Sequence, residues 1–209
     1  MPRNYDLEKN PPIAHQRRPE YVRDDDWIRD FLRTGEIAHI ASVRDNQPFV
    51  NPTTYFFDEA KQRIIFHSNI AGRIRANIEQ HPQVCVEVSE LGKVLPSNVA
   101  LEFSLQYRSV VVFGSPSVIE DEQEKREVLH KLIAKYFDKM ELGKDYRPAT
   151  KKELDRTSVY EVRIESWSGK ENWKERADQS DEWPELDAKW FEGGSIDTKF
   201  RNNPLITQM

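Results

Sequence analysis

Between residues 24 and 167 the hydrophobic pattern changes period repeatedly, and each change marks an element. Residues 24–35, DDDWIRDFLRTG, set Trp27, Ile28, Phe31 and Leu32 three and four apart behind an acidic start, which predicts a helix that stops at Gly35. Alternation then takes over. EIAHIASVR from Glu36, PFVNPTTYFF from Pro48 and QRIIFHS from Gln62 read as strands, with turn residues at 44–47 and 58–61 between them, so they form a meander. AGRIRANIEQHP reads as a short helix that ends before Pro82, and QVCVEVSE, from Gln83 to Glu90, alternates again. A long strand, LEFSLQYRSVVVFG, runs from Leu101 to Gly114. The strongest helical pattern spans residues 121–137, with Val128, Leu129, Leu132, Ile133 and Tyr136 on one face. VYEVRIESW, from Val159, is the last strand. Six strands with few helices between them predict an α+β fold, a small antiparallel barrel flanked by helices rather than a parallel sheet.

Composition trims this picture at both ends. The 209 residues are 37% hydrophobic and 32% charged, more polar than a typical globular chain, so part of the length is not core. Residues 1–22 hold four prolines and almost no periodicity, and residues 174–209 scatter tryptophans among charges. The chain therefore divides into an extended arm over 1–22, a barrel domain over 23–173 and a second arm over 174–209. Trp183, Trp190 and Phe191 are poor candidates for free solvation, so the second arm is expected to pack on a partner subunit. A net charge of -5 argues against nucleic acid as a partner. No apolar run approaches a membrane span or a signal peptide, and a single cysteine fits the reducing cytoplasm.

Candidate chemistry gathers where IIFHSNIAGRIRAN, residues 64–77, turns from strand to helix. The unpaired N–H groups of a helix start attract an anion, Gly72 lets it approach the backbone, and Arg73 offers a bidentate partner to phosphate oxygens. The alternative is plain capping by Ser68 or Asn69 with both arginines solvated. His67, next to Ile65 and Phe66, reads from the residues alone as a hydrogen-bonded core residue sooner than as a ligand or catalyst. Arg108 is expected to pair with Glu87 or Glu102, Cys85 to be an inert core thiol, and the EDEQEKRE run from Glu120 to be a solvated helix face. His15, His39, His81 and His130 lack metal-ligand spacing, so no metal site is predicted. There is no Gly-rich dinucleotide fingerprint, P-loop or nucleophile elbow.

FHSNIAGRIRANI resembles the signature of the FMN-binding split barrels related to pyridoxamine-phosphate oxidase. With PFVNPTTYFF, VEVSELGKVLPSN, QYRSVVVFG and RTSVYEVRIESWSGKENW, the chain is similar in particular to the nitroimidazole-resistance branch of that superfamily. The resemblance implies a split β-barrel, FMN as cofactor and a homodimer whose flavin sites use both chains. It implies that Pro52, Thr53, Thr54 and Tyr55 line the edge of the isoalloxazine ring and that His67 and Ser68 lie beside ring and ribityl chain. Gly72 and Arg73 would hold the phosphate, joined by Arg75. Gln106, Ser109, Trp167 and Lys170 would come from the facing subunit or the barrel rim. The second basic position of the phosphate pair is Ile74 here, and Arg75 lies two residues beyond Arg73, off its helical face. His67 is the implied catalytic residue, polarising a nitro or carbonyl oxygen or passing a proton, with haem ligation a third role. The implied activity is FMN-dependent reduction of a small electrophile such as a nitroaromatic, with a nicotinamide as reductant; the alternative is a flavin or small-anion binding module without turnover.

Overall fold

The computed structural model describes residues 18–192. Eight strands form one antiparallel sheet: β1 (Val22–Arg23), β2 (Ala38–Arg44), β3 (Gln47–Thr53), β4 (Phe56–Asp58), β5 (Arg63–Asn69), β6 (Val84–Leu95), β7 (Ser104–Val118) and β8 (Thr157–Asn172). Four α-helices accompany it: α1 (Asp25–Thr34), α2 (Arg73–Gln80), α3 (Glu122–Tyr136) and the single turn α4 (Lys151–Leu154). The predicted α+β antiparallel architecture is present, with eight strands where the sequence pattern suggests six. β1 is an addition from the first arm, pairing with β8 at Lys170 and Gly169. The other extra strand arises because PFVNPTTYFF breaks in two around Thr54 and Tyr55.

That break curls the sheet. The strand order is β3-β2-β6-β7-β8-β5-β4, so the two ends of the path, β3 and β4, are neighbours in sequence and joined by only Thr54 and Tyr55. A sheet whose first and last strands share a two-residue link must bend round on itself, yet β3 and β4 do not pair, and the barrel stays split there. Tyr55 fixes the corner. It is fully buried, its hydroxyl donates to the Leu32 carbonyl at 2.7 Å, and its N–H donates to the Tyr136 hydroxyl at 3.1 Å.

The core is the inner face of this curl. Ile40, Ile64, Phe66, Val86, Val88, Val110, Val112, Tyr160 and Val162 alternate with outward residues, as period two requires, and α1 seals the interior with Ile28, Phe31 and Leu32. Asp24 caps α1 by accepting from the Trp27 N–H at 2.9 Å. The helix lies so close to β8 that a Cβ on Gly169 would stand 2.6 Å from Ile28. A second cluster, Ile65, Ile119, Val128 and Val159, packs α3 on the outer face of β5 and β8.

β7 and β8 run past the predicted limits at Gly114 and Trp167 because they pair with each other along nearly their whole length, with one irregularity after Phe113. α3 carries more than a solvated face: Glu124 binds Arg63 at 2.9 Å and Lys61 at 2.7 Å. Arg63 itself is buried, holds Asp58 at 3.0 Å and also binds Glu161, so one guanidinium ties the β4–β5 hairpin to α3 and β8. Arg108 pairs with Glu171 at 2.9 Å and Glu90 at 3.5 Å, its cross-strand neighbours, rather than with Glu87 or Glu102, because register brings those two opposite it. Glu87 meets His39 instead, at 2.9 Å.

The start of the second arm is held by its own chain. Ser97 donates to the Asp178 carbonyl at 2.7 Å, and the Ser180 N–H donates to Asn98 at 2.9 Å. Trp183 and Trp190 remain exposed, and residues 193–209 lie outside the described part, as does His15. Among the described residues no helix is long and apolar enough to cross a membrane.

Candidate functional site

The junction between β5 and α2 is assembled by short-range geometry. Asn69 ends the strand and turns the chain, its side-chain oxygen accepting from the Ala71 N–H at 2.9 Å and its carbonyl from the Gly72 N–H at 2.9 Å. Gly72 is the N-cap of α2. A Cβ there would meet the Asn69 carbonyl at 3.0 Å and the Ser68 hydroxyl at 3.4 Å, so any other residue would make the turn give way slightly. The other three α-helices are capped by their own side chains, from Asp24, Asp121 and Thr150, whereas α2 has no side-chain cap and no acidic residue in its first turn. The Arg75 N–H bonds the Gly72 carbonyl at 3.1 Å, while no side chain caps the Arg73 and Ile74 N–H groups or offsets the positive end of the dipole.

Arg73 stands at that helix start, exposed, with its guanidinium 4.8 Å from the centroid of the Phe49 ring on β3. Among the described residues it has no carboxylate partner. Phe49, Asn51 and Thr53 alternate along one face of β3, so Thr53 lies on the face that Arg73 reaches, at the lip of the split. Ile74, in place of a second basic residue, is buried and plugs α2 into the core. Arg75 points elsewhere, bonded to Glu79 and donating to Ser158 at 3.3 Å. Hydrogen bonding to Glu79 holds its guanidinium above the ordinary arginine range. Arg75 thus braces α2 and does not join Arg73.

His67 and Ser68 project from opposite faces of β5. The Ser68 hydroxyl lies 3.1 Å from that of Tyr160, on the α2 side. His67 shares the outer face with Ile65, opposite Val159, and is half-buried. Its Nδ1 is buried with no hydrogen-bond partner, and burial pushes the imidazole below its ordinary value, so it is neutral at pH 7. An unpaired buried acceptor is tolerated better than an unpaired N–H, which places the proton on Nε2. The two residues meet at the strand end, where with Asn69, Glu153, Arg156 and Thr157 they line a cavity of about 360 Å³. Arg156 escapes a sequence reading because nothing local marks it; Glu153 carries a local signal that could have found it, the Thr150-x-x-Glu153 capping box that starts α4.

The remaining candidates separate into two groups. Tyr55, Gln106 and Trp167 are consumed by the fold. Both ends of the Gln106 amide are taken, accepting from the Lys93 N–H at 3.1 Å and donating to the Lys174 carbonyl at 2.9 Å. Trp167 donates to Asp25 at 2.8 Å and packs against the core. Ser109 and Lys170 are direct cross-strand partners on the outer face of β7 and β8, and Pro52 is exposed on the outer face of β3, with Thr54 half-exposed in the link. Along β8, Lys170 follows the partner of His67, Val159, by 11 residues, which at ~3.3 Å each is roughly 35 Å. Among the described residues no group of His, Cys, Asp or Glu could hold a metal ion.

Solved structures share this architecture. The flavocytochrome Anf3 from Azotobacter vinelandii is 24% identical with a TM-score of 0.71, covering 86% of this chain and 90% of its own. The FAD and heme binding protein from Mycobacterium smegmatis is 24% identical, TM-score 0.65, covering 82% and 80%. A candidate 5-nitroimidazole antibiotic resistance protein from Bacteroides thetaiotaomicron is 20% identical, TM-score 0.60, covering 71% and 85%. No curated protein matches the sequence. The sequence profile of the family described as pyridoxamine 5'-phosphate oxidase matches residues 24–171, and the chain therefore belongs to that family.

Proposed function

We propose that the protein is an FMN-dependent oxidoreductase that reduces a small electrophile such as a nitroaromatic. The observation that carries the reading is the α2 start: no side-chain cap, a glycine in a tight turn, and an arginine with no carboxylate partner among the described residues. This combination fits a phosphate monoester. The names of two structural relatives, a flavocytochrome and an FAD and heme binding protein, support flavin chemistry on this fold, and that of a third, a nitroimidazole-resistance candidate, supports a nitroaromatic as substrate.

Gly72 and Arg73 would hold the phosphate and Ser68 the adjoining chain, with Thr53 and Thr54 along the lip of the split. A bound flavin would accept an electron pair from a reductant, such as a nicotinamide, and pass it on. His67, neutral, would donate its Nε2–H to an oxygen of the bound electrophile. The buried Nδ1 has no partner among the described residues with which to exchange a second proton, so this role suits His67 better than proton shuttling. It also suits it better than haem ligation, in which the second nitrogen ordinarily donates to a partner.

Lys170 on β8 and its partner Ser109 on β7 lie too far from His67 to reach the same flavin within one chain. If they contact it, they do so from a second copy, which supports a homodimer with shared sites. The test is the purified protein's colour, identification of the extracted flavin, and anaerobic mixing with reduced nicotinamide followed by a nitroaromatic. Bleaching and recovery of the yellow colour are expected. A yellow protein that no reductant bleaches supports a binding module instead, and a colourless one that ignores FMN sinks the flavin reading.

A further inference from the structure

The cavity of about 360 Å³ at the end of β5 lies within the range of small-ligand sites, and the charges on its wall are not equally available. Glu153 is committed to its own chain. Its carboxylate accepts from both Arg147 Nη atoms, at 2.6 and 2.9 Å, and from the Thr150 N–H at 2.7 Å. Hydrogen bonding from Arg147, then from Thr150, holds that carboxyl far below the usual carboxylate range, so it stays ionised with its charge balanced by Arg147. Asp155, the other carboxylate close to Arg156 in sequence, is taken by Lys151 at 3.1 Å. Arg156 remains, exposed, its guanidinium without a hydrogen-bond or ion-pair partner among the described residues.

The uncharged groups on the wall add donors. Asn69 accepts from the Ala71 N–H with its side-chain oxygen, at 2.9 Å, which leaves its amide N–H groups to donate. His67 is neutral and, with Nδ1 buried and unpartnered, carries its proton on Nε2. The Thr157 hydroxyl already donates to the Glu153 carbonyl at 2.9 Å. The cavity thus combines spare donors with one unbalanced positive charge, which suits a monoanion that accepts through two oxygens. A carboxylate meets a guanidinium through two parallel N–H···O bonds and matches its single charge, whereas a dianionic phosphate would keep one charge unbalanced.

We infer that the molecule taken up beside His67 carries a carboxylate, gripped by Arg156 with Asn69 assisting. The inference rests on the reading that places the electrophile at His67, and it narrows the substrate class to carboxylated nitroaromatics such as a nitrobenzoate. The carboxylate sits at Arg156 and a nitro oxygen accepts from the His67 Nε2–H. Arg156 is then a specificity-determining residue with no part in electron transfer.

Binding and turnover test it separately. In proton NMR of the full chain, benzoate is expected to move the His67 imidazole signal, identified by its loss in His67→Gln, at concentrations at least roughly tenfold below those that benzamide needs. Arg156→Ala should erase that preference without moving the melting temperature, because the exposed guanidinium holds no other part of the described chain. Arg156→Lys should restore part of it. In turnover, the preference for 4-nitrobenzoate over 4-nitrobenzamide should fall about tenfold in Arg156→Ala, through KM. A preference that survives Arg156→Ala, benzoate and benzamide acting alike, or phenyl phosphate binding more tightly than benzoate overturns the inference. Benzoate binding of the expected kind by a protein that reduces no nitro compound leaves it standing and counts against the redox reading alone.

Discussion

Two arginines bracket the same strand and have opposite surroundings. Arg63 opens β5, buried and held by Asp58, Glu124 and Glu161; Arg73 follows its end, exposed and in contact with an aromatic ring. A guanidinium whose donors are all spent on protein carboxylates is a tie between elements. One placed over a ring beside bare helix N–H groups keeps its donors for something from outside. Spacing and residue type look alike at the two positions; the difference lies in what the fold brings to each.

The largest effect should come from breaking the tie. Arg63→Leu leaves Asp58 buried without its partner and should cost about 3–5 kcal/mol in urea unfolding; a loss under about 1 kcal/mol would show that Arg63 is no hub. Next is the free arginine. Arg73→Ala should leave stability within about 0.5 kcal/mol while weakening flavin binding roughly 10- to 100-fold, read by equilibrium dialysis. Equal losses in both measurements would erase the contrast between the two ends.

A smaller effect tests how Glu124 is delivered to Arg63. Asp121 caps α3 by accepting from the Glu124 N–H at 2.7 Å, so Asp121→Ala should cost about 1 kcal/mol. Smallest is a titration at the far end of β5. Burial lowers the His67 value, so the unfolded chain takes up the proton more readily. Its contribution is therefore complete above the ordinary value of 6.5 and is lost as pH falls below it. His67→Leu should flatten stability over that acid range; an unchanged slope would mean that the imidazole is not desolvated.

Elements with strict periods were legible, α1, β5 and α3 to within a few residues, because their partners lie on one predictable face. PFVNPTTYFF was not, since its only local break, Asn51-Pro52, falls short of the corner at Thr54 and Tyr55, and that corner depends on Leu32 and Tyr136, far away in sequence. The junction of Ser68, Gly72 and Arg73 is local and could be read from the chain. Gln106 and Trp167 could not, because their partners, Lys93, Lys174 and Asp25, come from three separate segments. Arg63 stayed hidden for the same reason, its three carboxylates being scattered over a hundred residues.

The split leaves β3 with an unpaired rim. Pro48 and Pro52 occupy it at equal parity, so both missing donors fall on one side, and pairing with β2 along Gln47–Thr53 makes that the free side. A further strand cannot be templated there, which guards the opening against runaway sheet growth and aggregation. Any self-association must therefore proceed elsewhere than by extending the sheet at β3.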